Sequence, residues 1–442
     1  MLKRVDGRED TSGARVLLKD ASFPEPFYDG LEYSPPARGT WNIVHTTMLV
    51  PDSHQIYICA LGCLRGVVLT AAEMNAMDRF SSIVIEEHHL YDGSMEDTIV
   101  NGVGEILAGL LPKTPRVIFL YPACIHHFMG ADMDGIVKRL QETYTQTRFV
   151  LCWMDPIRRH SNLPPEIRTR CQIYSLWKKQ PADQNSVNLI GSNLAVENDS
   201  ALMKLLRDNG MTVRQLPTCQ TYAEYEAMGS AGLNLAFEPL ARPVLPFLQE
   251  RYGQPGIYLS DSFDYQEITA ALYRVADAIG AGHPDCRDEI NRCETAFRLA
   301  KEAIGDMPVA IDYAATFRPF SLVRALLGHG FQVRRIYVDV CNGDDSNDFQ
   351  SLQQSHPALE LYPTRHAKMR CMDRHSDEFL AIGQKAAYFT GTRHFVDLAE
   401  GGGWYDFAGI RRMLAGMVDA CEKEKDPRDY VRIKGWGCHI CR

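Results

Sequence analysis

The sequence predicts an α/β protein of three Rossmann-like domains with mostly parallel sheets. Three observations predict it. Continuous Val/Ile/Leu-rich runs alternate with amphipathic stretches along most of the chain, as a parallel sheet covered by helices on both faces requires. Strand–helix–strand openings recur near residues 116, 187 and 308. The length of 442 residues corresponds to roughly three domains at about 150 residues each. The boundaries that follow are 1–180, 181–305 and 306–442, the last including a polar tail. The three openings share a pattern and not a close sequence, so they are not an internal repeat.

In the first unit, SSIVIEE reads as a strand and 94–111 as a helix. RVIFLYPAC (116–124) is a buried strand, 132–144 a helix and RFVLCWM (148–154) a strand. The polar stretch 178–186 separates the next unit. There 187–192, 211–216, 232–238 and 256–260 are strands. Helices lie over 200–210, TYAEYEAM and 241–253, and two more over 264–281 and 287–304. The third unit opens with MPVAIDYAAT (307–316), then a helix over 321–330 and a strand over 332–340. ALELYPT, KAAYFTG and HFVDL are further candidate strands, and 405–424 is a closing helix.

Composition narrows the function classes. Hydrophobic residues are 45% and charged residues 23%, which is ordinary for a globular protein with a substantial core. The net charge of −9, from 47 basic and 56 acidic side chains, argues against nucleic acid or an anionic membrane as the main partner. No apolar stretch approaches a membrane span. The charged start MLKRVDGREDTSGARVLLKD has no apolar signal core, so a cytoplasmic protein is expected. Neither a GxxxxGK[ST] loop nor a GxGxxG following a strand is present, so no nucleotide is expected on this chain. GGGWYD (401–406) reads either as an anion-holding turn or as a tight turn leading into the last helix.

The thirteen cysteines, an odd number in a chain expected to stay in a reducing compartment, point to metal ligation or to plain burial rather than disulfides. Cys59 and Cys63 lie four apart in YICALGCLRG. Cys124 follows the strand RVIFLY, at the carboxyl end where α/β sheets bind ligands. Thiolates in such loops, with glycines that let backbone approach sulfide, suit an iron–sulfur cluster, and they equally suit inert core. His126 and His127 follow Cys124, and His88 and His89 follow a strand. Such pairs bind metal, move protons or simply hydrogen-bond. Cys438 and Cys441 form a lone C-x2-C that can supply two ligands at most.

Taken together, these segments resemble the nitrogenase component 1 superfamily, which includes the molybdenum–iron protein subunits, their cofactor-assembly scaffolds and the dark-operative protochlorophyllide reductase subunits. YICALGC is similar to the family segment ending in a cluster cysteine, here Cys63. YPACIHHFMGADMDGIVKRL resembles the strand–Cys–Gly-x-Asp element, which makes Cys124 the next ligand. VNLIGS and LLRDNGMTVRQLPTCQTYAEYEAMGSAGLNLAFEPLARPVLPFLQERYG follow the second domain segment by segment. The likeness spans about residues 40–420.

The resemblance implies a nitrogenase component 1-like fold. It implies an iron–sulfur cluster of four irons or more at an interface with an identical or related subunit, a separate ATP-binding iron protein that delivers electrons, and a small-molecule substrate. Cys59 stands in for an earlier family cysteine that this chain lacks, giving Cys59, Cys63 and Cys124 as the ligand set. Where the catalytic nitrogenase subunit anchors its large metal cofactor through a cysteine, this chain has Glu238. Near the cofactor histidine it has Leu398 or Ala399, with His394 a few residues away. Glu238, His126, His127 and His394 are therefore candidates for lining the substrate cavity or delivering protons. The leading expectation is the catalytic component of an ATP-dependent reductase acting on a small organic molecule. The alternative is a non-catalytic scaffold on which a metal cluster is assembled and passed on.

Overall fold

The structure is a computed structural model, and it describes residues 14–27, 33, 35, 37, 43–154, 163–372 and 379–426. The short strand β1 (Val16–Leu17) precedes three sheets. The first sheet holds β2 (Ser53–Cys59), β3 (Phe80–Val84), β4 (Val117–Pro122) and β5 (Arg148–Leu151), all parallel, in the order β3-β2-β4-β5. Every residue of β4 is buried, as its apolar run requires. Alternation along β2 sends Tyr57 and Cys59 into one core and Ile56 and Ile58 into the other. Tyr57 stacks on Tyr121 with ring centroids 4.7 Å apart. On the second face, the helix Met95–Gly109 buries Met95, Ile99, Val103 and Leu107, the one-sided spacing of an amphipathic helix. The helix Met133–Thr143 is capped by Asp132, whose carboxylate accepts the Gly135 N–H at 2.9 Å.

β2 was not legible as a strand, because Ser53, His54 and Gln55 break its apolar run. Each of these polar groups is buried and satisfied. Gln55 donates to the Val44 carbonyl and to Thr47 Oγ1 and accepts from the Tyr57 hydroxyl. Ser53 donates to the Val50 carbonyl at 2.7 Å, and His54 Nε2 pairs with Ser81 Oγ at 2.8 Å. A central strand tolerates polar side chains where the surrounding fold supplies partners.

The second sheet contains β6 (Asp183–Leu189), β7 (Thr212–Gln215), β8 (Ala231–Ala236) and β9 (Gly256–Tyr258), also parallel, in the order β7-β6-β8-β9. The third contains β10 (Pro308–Asp312), β11 (Gln332–Tyr337), β12 (Glu360–Tyr362), β13 (Leu380–Ile382) and β14 (His394–Val396). Its order is β1-β12-β11-β10-β13-β14, parallel except for β1, which pairs antiparallel with β12. The fold class expected from the sequence is thus observed. KAAYFTG is not a strand, however. Gln384–Thr390 is a helix, and the strand is β13 just before it. All seven helical residues are buried, so the helix carries no polar face to mark its period, and it reads like a buried strand. GGGWYD is the tight turn: Gly403 has φ of 78°, and a Cβ there would sit 2.2 Å from the Ala195 carbonyl oxygen. Among the described residues no helix is long and apolar enough to cross a membrane.

A buried polar network ties the second sheet to the third. The Arg318 guanidinium, 3% exposed, binds Asp345 at 2.7 Å, Asp348 at 2.6 Å and Ser260 Oγ at 2.9 Å. Beside it, burial pushes the Asp261 carboxyl up to about 7, against the pull of Arg318, the Ser262 N–H and Thr316, while Asp406 adds to the rise. Because the folded value lies above the ordinary 3.8, Asp261 favours the folded state fully below pH 3.8, and that contribution is gone above about pH 7. The difference corresponds to roughly 4 kcal/mol if undiminished. Asp261→Asn is therefore expected to raise the thermal midpoint relative to wild type at pH 8, and that advantage should shrink steadily as the pH falls through about 7 towards 4. An equal change at pH 8 and pH 4 contradicts the assignment.

Candidate functional site

In an open parallel sheet, a ligand crevice forms at the carboxyl ends of two adjacent strands whose following connections leave to opposite sides. The three sheet orders place these switch points between β2 and β4, between β6 and β8, and between β10 and β13.

The first switch point carries the cysteines. Ile58 pairs with Pro122 in register, and the Ala123 N–H donates to the Ile58 carbonyl, so the strand ends that carry Cys59 and Cys124 lie side by side. Cys63 ends the 3-10 turn Leu61–Cys63 and is exposed. Cys124 opens the short helix Cys124–Phe128 and is partly exposed. Cys59 differs. Its side chain is fully buried in the apolar core that includes Tyr57 and Leu64, and burial, with a smaller contribution from Cys63, pushes its thiol up to about 12. Leu61, Phe128 and Met129 stand exposed around the two open cysteines.

His126 is completely buried next to Cys124. Its Nδ1 donates to the Ala123 carbonyl at 3.0 Å, which leaves Nε2 as a buried acceptor with no hydrogen-bond partner among the described residues. Burial lowers its pKa, only partly offset by the Ala123 carbonyl, so the ring is neutral near pH 7. His127 stacks on Trp153 with centroids 3.9 Å apart. His88 and His89 belong to an exposed turn in which the Glu86 N–H donates to His89 Nδ1 and Glu86 pairs with His88 at 3.4 Å.

The second switch point carries Glu238, just after β8. It is 2% exposed and held by Arg170 Nη2 at 3.1 Å. The same guanidinium donates to the carbonyls of Gly191 and Glu166. Burial raises the Glu238 carboxyl, while Arg170, Ser192 and the Asn193 N–H oppose the rise. Glu238 thus closes a buried ion pair and does not present an open carboxylate. Arg170 was not legible as its partner, since the two are 68 positions apart.

The third switch point holds residues that the sequence reading missed. Lys385, 5% exposed, donates to the Tyr313 hydroxyl at 2.8 Å and to Thr364 Oγ1 at 3.2 Å. Asp312 accepts the Ala314 and Ala386 N–H groups, and burial lifts it to about 6 against those bonds and Lys385. Gly383, φ 99°, lets the chain turn here, since a Cβ would sit 2.3 Å from Asp312 Oδ2. The available signal was GQK after LAI, hidden by reading the next residues as a strand. His394 lies elsewhere. It begins β14, at the amino end of that strand, with Nδ1 donating to the Ala420 carbonyl at 2.8 Å.

The structure therefore gathers Cys59, Cys63, Cys124, His126 and His127 at one sheet end, Glu238 at another, and leaves His394 apart from both. Among the described residues, no group of three His, Cys, Asp or Glu side chains converges closely enough to hold a metal ion. Cys438 and Cys441 lie outside the described residues.

Three mostly parallel sheets with thiols at one switch point define a class of multi-sheet α/β proteins. Residues 44–390 match the family described as nitrogenase component 1 type oxidoreductase, and the chain belongs to that family. It is similar in structure to a solved nitrogenase Cp1 chain at pH 6.5, with a TM-score of 0.67 and 11% identity over 90% of this chain and 95% of that one. A second chain, nitrogenase Cp1 at pH 5, gives 0.63 and 12% identity over 93% and 94%. No curated protein matches the sequence significantly.

The Glu238–Arg170 pair has a direct consequence for stability. Glu238→Leu alone strands a buried guanidinium and is expected to cost about 3 kcal/mol or more. The double variant Glu238→Leu/Arg170→Met removes both charges and is expected to recover most of that loss in denaturant unfolding. A double variant no more stable than the single one contradicts the pairing.

Proposed function

We propose that this chain is the catalytic component of a nitrogenase-like, ATP-dependent reductase that takes electrons from a separate ATP-binding iron protein and reduces a small organic molecule. The observation that carries this reading is the pair Cys63 and Cys124, open at the first switch point of a component 1 fold. Both thiols are accessible, and the neighbouring His126 Nε2 is a buried acceptor in need of a donor, which suits a polar group seated against Cys124. Since one chain offers fewer than three converging ligands among the described residues, the site is completed by a second copy or a related component 1 subunit.

Cys63 and Cys124 are the open ligands of this proposal. Cys59 supplies a third sulfur only if the end of β2 rearranges to release it from the core. A bound iron–sulfur cluster, of four irons or more, would supply one-electron transfer. The chain's own residues do the rest. Leu61, Phe128 and Met129 exclude water once covered, and the neutral His126 can take up a proton at Nε2. His127 is fixed by Trp153 beside them. The pair Glu238–Arg170 and the Asp312–Lys385 end of the third sheet shape the other two crevices. His394, at the far end of its strand, is not needed by this reading.

The test is iron and acid-labile sulfide per chain after strictly anaerobic purification, in wild type and in Cys63→Ala, Cys124→Ala and Cys59→Ser. Two or more irons per chain are expected, lost in the first two variants and retained in the third. Iron retained in Cys63→Ala overturns the ligand assignment. Turnover with an iron-protein reductase supports the catalytic reading. Loss of the cluster to an acceptor protein without turnover replaces it with the assembly-scaffold reading.

A further inference from the structure

A second cleft lies at the opposite edge of the first sheet, where the amino ends of β4 and β5 face the helix Tyr222–Ala227. It encloses about 700 Å³, within the size range of small-molecule sites. Arg116 immediately precedes β4 and Arg148 begins β5. The two are joined by the Arg148 N–H donating to the Arg116 carbonyl at 2.8 Å, which sets their side chains on neighbouring strand ends. The Arg116 guanidinium lies over the Tyr222 ring at 5.2 Å. Tyr222, Glu226, Arg116 and Arg148 all line this cleft, and the buried Tyr222 phenol feels the Glu226 carboxylate first and then both guanidiniums.

The charge in this cleft is not balanced internally. Its one carboxylate, Glu226, pairs with Lys178 at 2.9 Å. Neither Arg116 nor Arg148 has a carboxylate or carbonyl partner for its guanidinium among the described residues. Two exposed guanidiniums without an ion-pair partner among the described residues therefore line one cleft, on a chain whose net charge is −9. The remaining lining is hydrogen-bonding: Thr114, Thr145 and Gln146 border the arginines. A neighbouring cleft of about 730 Å³ shares Thr114 and Arg116 and mixes charges of both signs, with Arg79 and Lys113 beside Asp52 and Asp78. Arginine forks bind oxyanions bidentately, and stacking on an aromatic ring lowers the conformational freedom lost on binding.

We propose that this cleft binds a small polyanion, a metabolite carrying phosphoryl or carboxylate groups, between Arg116 and Arg148. The site is separate from the cysteines, which lie at the other end of the same strands, some 20 Å away along the six residues of β4. A ligand here contacts both the first sheet and a helix of the second, so it binds across their junction.

Calorimetric titration at low salt with pyrophosphate, inorganic phosphate and citrate tests the proposal on the intact, anaerobically purified protein. One saturable site per chain is expected for at least one of these probes. Arg148→Gln and Arg116→Gln should each weaken it at least about tenfold, since a charge-assisted hydrogen bond is lost. Cys63→Ala should leave it unchanged, which separates this site from the proposed cluster. Pyrophosphate tighter than citrate assigns phosphoryl groups, and the reverse order assigns carboxylates. Arg148 is exposed, and unaltered thermal unfolding of Arg148→Gln serves as the folding control. No saturable binding of any probe at millimolar concentration overturns the proposal. So does equal binding by wild type and both variants.

Discussion

The pairing of β2 with β4 governs the candidate site. These strands are adjacent and parallel, and the chain leaves them on opposite sides of the sheet, so their carboxyl ends cannot be capped by a common helix. The opening is filled by whatever side chains follow each strand. After β2 that is Ala60–Cys63, and after β4 it is Ala123–His127. The in-register backbone bonds fix these loops relative to one another, and the buried Tyr57–Tyr121 stack beneath them makes the floor rigid. The position of the thiols is thus a product of sheet topology, and the buried polar side chains of β2 secure that topology from the strand's other end.

The same topology recurs twice, with different chemistry at each opening. At the second sheet a carboxylate is matched by an arginine in the dry interior. At the third a lysine rests on hydroxyls with a carboxylate held by backbone N–H groups. Buried charge is tolerated at these places because the strand ends and helix starts supply polar backbone that the core cannot. The Arg318 network extends this logic to the junction of the second and third sheets, where one guanidinium serves Asp345 and Asp348. Crevices lined by fixed charge on rigid strand ends suit a protein that must position a reactant and exclude water.

Much of the fold was legible in the sequence, because parallel strands buried on both faces are continuous apolar runs and the helices between them carry a period. Cys124 was legible as a candidate since it follows such a run, and Cys63 through its spacing from Cys59 and the likeness of YICALGC to the family segment. What escaped has physical causes. β2 carries polar residues satisfied only by distant partners, and the helix Gln384–Thr390 is buried all round. The identity of a buried ion pair is set by residues far apart in sequence, so Glu238 was visible as unusual while Arg170 was not. The exposure that separates Cys59 from Cys63 depends on which face of β2 turns inward, and on the loop that follows it. His394 looked near a site in sequence, but a three-residue strand is enough to carry it to the opposite edge of the sheet from the crevice.

The central claim is that each chain holds half of a cluster site at its first switch point. Native mass spectrometry of the anaerobically purified protein, before and after iron chelation, tests this most directly. The account expects a species of two component 1 chains carrying iron and sulfide, with the metal absent from any single-chain species and removed together with it on chelation. A single chain that retains a complete iron–sulfur cluster would contradict it.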